Sequence, residues 1–130
     1  MSTASLVALK SRIQTLAPGR VVTRSYADFA DRSPADLAVG VFTILSLGET
    51  SYPDEIYEPG RFGVRSIRVV GQILLAEDCT GEDIEAAEES MMDDIRVTVQ
   101  DPLPADLFGL ALVSWQQSGQ LDKPYGWVAA

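Results

Sequence analysis

The amino-acid sequence predicts an α+β fold: a mostly antiparallel mixed sheet with two helices packed on one face, in the order α-β-β-β-α-β-β. Three stretches carry that reading. Val64–Ala76 (VRSIRVVGQILLA) is rich in β-branched residues. Ile67, Val69, Ile73 and Leu75 share one parity, while the other mixes Ser66, Arg68 and Gln72 with Val64, Val70 and Leu74. That is the pattern of a central strand with one dry face and one part-covered face. A short loop then leads into an acidic helix over Thr80–Val99, where Ile84, Ala87, Met91, Ile95 and Thr98/Val99 repeat at helical spacing. Ala38–Leu47 (AVGVFTILSL) is apolar on both parities and reads as a strand buried on both faces. The strand at Val64 and the helix at Thr80 have complementary apolar faces, which are buried most simply against each other.

In chain order, Ser2 or Thr3 is placed to cap a first helix, with Leu6, Leu9, Ile13 and Leu16 as its apolar stripe. Ala17-Pro18-Gly19 stops it. Arg20–Ser25 is a short strand near an edge, because arginines flank and interrupt it. Tyr26–Leu37 has turn chemistry but holds Tyr26, Phe29 and Leu37, so it reads as an ordered connection. In the acidic helix, Thr80 followed by Asp83 resembles a capping box, and Glu82, Asp83 and Glu85 suit the positive end of the helix dipole. Glu85, Glu88, Glu89 and Asp93 fall mostly off the apolar stripe. Gln100–Gly109 breaks the chain with two prolines. Leu107–Trp115 and Trp127–Ala130 are the closing strands, and Trp115 and Trp127 are placed to pack as a cross-strand pair.

The connection Gly48–Gly63 (GETSYPDEIYEPGRFG) is too long for a tight hairpin turn and has two prolines and three glycines. It also carries Tyr52, Ile56, Tyr57 and Phe62. A loop so rich in apolar side chains either folds back on its own sheet or reaches a neighbouring subunit. On the second reading Tyr52, Ile56, Tyr57 and Phe62 are the candidate interface anchors, and Arg61 pairs across the contact.

At 130 residues the chain reads as a single domain, residues 1–130, long enough to bury a core without disulfides or metals. A net charge of −9 argues against a general binder of nucleic-acid backbones. The charge is uneven: Arg20, Arg24, Arg32, Arg61, Arg65 and Arg68 lie in the first half, and most carboxylates lie from Glu77 to Asp106. Such asymmetry suits self-association, or is simply two solvated faces. The lone cysteine, Cys79, builds no internal disulfide and fits a reducing compartment. No signal peptide opens the sequence and no apolar run is long enough to span a bilayer, so the expectation is a cytosolic protein without a membrane partner.

The search for chemistry returns no catalytic residue. Histidine, the commonest general base and metal ligand, is absent. Cys79 therefore has no histidine to activate it, and alone it builds no zinc site. Ser66, Ser90 and Ser114 lack a nucleophile elbow, and Gly60-Arg61-Phe62-Gly63 is a turn rather than a phosphate cradle. Glu85, Glu88, Glu89 and Asp93-Asp94 have the chemistry to hold a divalent cation but not the spacing of an EF-hand, and read as a solvated helix face. Met91-Met92 reads as core. The expectation is no enzyme, no cofactor and no metal. Two other classes compete with a structural role: an acidic DNA mimic presenting Glu82–Asp94 to a basic protein, and a small carboxylate-metal enzyme.

The order of elements resembles the tail terminator proteins of long-tailed bacteriophages, the minor tail protein U family. The resemblance covers nearly all of the chain. It rests on the N-terminal helix, the strand and connection from Val21 to Phe29, the strand Ala38–Leu47 with its loop Gly48–Gly63, the strand Val64–Ala76 with the helix Thr80–Val99, and the closing strands Leu107–Trp115 and Trp127–Ala130. It rests on order and spacing, not on a diagnostic motif. The family pattern has a longer final strand than WVAA supplies, so either the chain is truncated or the sheet lacks part of that strand. The resemblance implies a virion structural protein with no catalytic residues. It would form a homo-oligomeric ring, usually a hexamer, on the head-proximal end of the tail tube, stop tube growth and offer a surface to the head-completion protein. Its implied partners are itself, the tail tube protein and the head-completion protein, with no specific nucleic-acid binding. Its implied place is the host bacterial cytoplasm during assembly, then the virion tail. A related head–tail joining protein is the neighbouring reading.

Overall fold

The computed structural model describes residues 4–51 and 63–130. Its fold is α+β, with one five-stranded mixed sheet in the order β1-β2-β3-β5-β4. The elements are α1 (Ala4–Leu16), β1 (Val21–Thr23), α2 (Pro34–Val39), β2 (Val41–Ser51), β3 (Gly63–Leu74), α3 (Gly81–Thr98), β4 (Gln116–Gln117) and β5 (Tyr125–Ala129). β1 pairs parallel with β2, and the other pairs are antiparallel. The parallel pair requires a crossover, which the segment containing α2 supplies.

The core lies between the sheet and the pair α1 and α3. Leu6, Leu9 and Ile13 of α1 and Met91, Met92 and Ile95 of α3 form one buried cluster with Phe42, Ile44, Val69, Ile73 and Val128; Ile67 and Leu75 are partly buried against it. The dry parity read from Val64–Ala76 is therefore the helix-facing one. α3 starts as its sequence indicates. Asp83 N–H donates to Thr80 Oγ1 at 3.2 Å and Thr80 N–H to Asp83 Oδ2 at 2.9 Å, a reciprocal capping box. At the other end Arg12 of α1 donates to the carbonyls of Thr98 (2.7 Å) and Gln100 (3.0 Å), placing a cation where α3 leaves its last carbonyls unpaired. The proposed caps Ser2 and Thr3 lie outside the described residues.

Two sequence expectations are corrected. The first concerns layering: α1 and α3 share a face, but a third helix, α2, stands inside the supposed connection Tyr26–Leu37, giving α-β-α-β-β-α-β-β. Ser33 caps it, accepting from Asp36 N–H at 3.1 Å, and Pro34 starts its first turn. Its segment covers the opposite sheet face. Arg32 donates to Gln72 Oε1 (2.8 Å), Thr43 Oγ1 (3.0 Å) and the Ser25 carbonyl (3.0 Å), and Gln72 donates to the Ala27 carbonyl (3.0 Å). Gln72 and Thr43 have the parity opposite to Ile73 and Phe42, which fixes the side. Phe29 packs against Tyr125 there, with ring centroids 4.7 Å apart and the rings tilted by 51°. Because α2 ends at Gly40, β2 begins at Val41 rather than Ala38.

The second concerns Leu107–Trp115, which is not a strand. A 3-10 turn at Ala105–Leu107 leads into chain without a ladder, and only Gln116–Gln117 pairs, with Ala129 and Val128. Among the described residues no strand pairs with the segment upstream of Gln116. The same register separates the tryptophans. Trp115 lies under the Arg96 guanidinium, 5.2 Å from the ring centroid, whereas Trp127 donates its indole N–H to Asp122 at 3.0 Å.

Candidate assembly interface

β2 and β3 are longer than the sheet that holds them. They pair from Val41↔Gln72 out to Ser51↔Gly63. β1 accompanies β2 only as far as Thr43, and β5 accompanies β3 only to Val70. In one further contact Val69 exchanges both backbone bonds with Ala130 at 2.9 Å. Beyond it the two strands project as an arm without strand neighbours among the described residues. A bulge between Ser46 and Gly48, with Gly48 at φ 116°, adds twist where only glycine is unstrained. Leu47 and Val64 on the arm are 53% and 50% exposed. On the helix side the arm is held to α1, where Arg65 donates to Ser5 Oγ at 2.6 Å, and Ile67 packs against the core.

Beside the arm lies a groove of about 550 Å³. One wall is β3 from Val64 to Val69, and the other is Gly109–Gln116, the segment leading into β4; Leu9, Ile13 and Ile95 also line it. Val69 uses its backbone groups on Ala130, so alternation aims the Ile67 N–H and C=O into the groove. No described residue bonds them. Val113 on the other wall is 93% exposed and nearby Phe108 is 92% exposed.

Most carboxylates of α3 have partners within the fold. Glu88, expected off the apolar stripe, is fully buried. Its Oε2 accepts the backbone N–H groups of Trp127 (2.8 Å) and Ser118 (3.3 Å), and Oε1 has no partner. A Cβ on Gly126 would stand 3.3 Å from Oε2, so glycine there allows α3 to approach β5. Glu85 accepts from Gln120 (2.6 Å) and Asp93 from Arg96 (2.6 Å); Glu89 lies 3.6 Å from Arg96. Asp94 pairs with Arg20 at 3.0 Å, and Arg20 also donates to Ser90 Oγ. Cys79 is buried, and among the described residues no group of three or more His, Cys, Asp or Glu converges.

Tyr52, Ile56, Tyr57, Arg61 and Phe62, the interface candidates from sequence, lie outside the described residues. The arm whose ends they connect is described. The groove and the buried Glu88 were not found from sequence. Glu88 had a signal: it stands four residues after Ile84 and three before Met91, on the stripe itself. Comparisons with protein-family models, curated proteins and solved structures find no match. No helix among the described residues is long and apolar enough to cross a membrane.

Proposed function

We propose that this chain is a tail terminator of a long-tailed phage or prophage, a protein that closes into a ring on the finished tail tube and prepares it for head joining. The carrying observation is the projecting β2–β3 arm, which leaves apolar side chains and strand edges exposed beside an apolar groove. A contact between the arm of one copy and a different surface of the next is heterologous, and such contacts generate rings when the rotation closes. The resemblance to the minor tail protein U family suggests a hexamer; α1, β1, β2, β3 and α3 follow the order it rests on, whereas α2 and the segment Leu107–Trp115 depart from it. The partners on this reading are further copies of the chain, the tail tube protein below and the head-completion protein above. It works by shape and does no chemistry. A net charge of −9 suits a ring through which DNA passes without sticking.

Of the other classes, DNA mimicry needs free carboxylates along α3. Glu85, Glu89, Asp93 and Asp94 are tied to Gln120, Arg96 and Arg20, and Glu88 is buried, which favours a structural role for that helix. The test is tube length. Added to its polymerising tail tube protein, this chain should arrest growth and leave density on one end of each tube. Tubes of unchanged length with bare ends would refute the proposal.

A further inference from the structure

We draw no further inference here: the strongest candidate, the apolar groove between β3 and the segment Gly109–Gln116, carries nothing because no observation in the structure shows what covers it.

Discussion

Oε2 of Glu88 accepts the backbone N–H of Trp127 at 2.8 Å, so a carboxyl at the centre of α3 holds the last strand against the helix. The same oxygen accepts from Ser118 at 3.3 Å, joining the approach to β5 as well. Replacing Glu88 by leucine would leave the buried N–H of Ser118 and the part-buried N–H of Trp127 unpaired. Glu88→Leu should cost about 2–4 kcal/mol in urea unfolding, and Glu88→Gln, which keeps an acceptor oxygen, should cost less. Equal stabilities for wild type and Glu88→Leu would show that these bonds do not hold the strand.

Ile73 lies in the central cluster with Met91, Met92 and Val128. Ile73→Ala should lose about 2–5 kcal/mol, the range for a buried large-to-small change. A loss below about half a kilocalorie, within the scatter of surface substitutions, would mean that the dry face is wrongly assigned.

Arg32 ties the α2 segment to the sheet through Gln72, Thr43 and the Ser25 carbonyl. Arg32→Ala should lower stability by about 1–3 kcal/mol. Arg32→Lys should restore little of it, because an ammonium cannot reproduce the planar fork. Full rescue by lysine in thermal unfolding would show that only the charge matters.

The arm should behave oppositely. Leu47→Ser with Val64→Ser changes two half-exposed side chains, and stability should move by less than about 1 kcal/mol in total. Association, followed by sedimentation velocity, should be lost. Replacing Ile56 and Tyr57 by serine should likewise leave the fold intact and abolish tail capping. Unfolding of that second variant would place the loop in the core of its own subunit.

The layers were legible because the deciding residues are periodic. Ile67, Val69 and Ile73 alternate, Ile84, Met91 and Ile95 recur at helical spacing, and Thr80 with Asp83 marks the helix start. α2 escaped because six residues show no periodicity, although Ser33-Pro34 is a helix-start signal. Leu107–Trp115 looked like a strand on composition, but a strand exists only where a neighbour hydrogen-bonds it, and among the described residues only Gln116–Gln117 pair. Glu88 was misread because charge was weighed above position on the stripe. The groove was not legible, since it is an absence between two segments far apart in sequence.

The central claim is that this chain closes into rings, and the most direct measurement is negative-stain electron microscopy of the concentrated protein with its mass measured in solution. The account predicts closed rings of one subunit number at high concentration. Dilution should return them to single chains. A single-chain mass at every concentration, with no rings on the grid alone or at the ends of tail tubes, would contradict it.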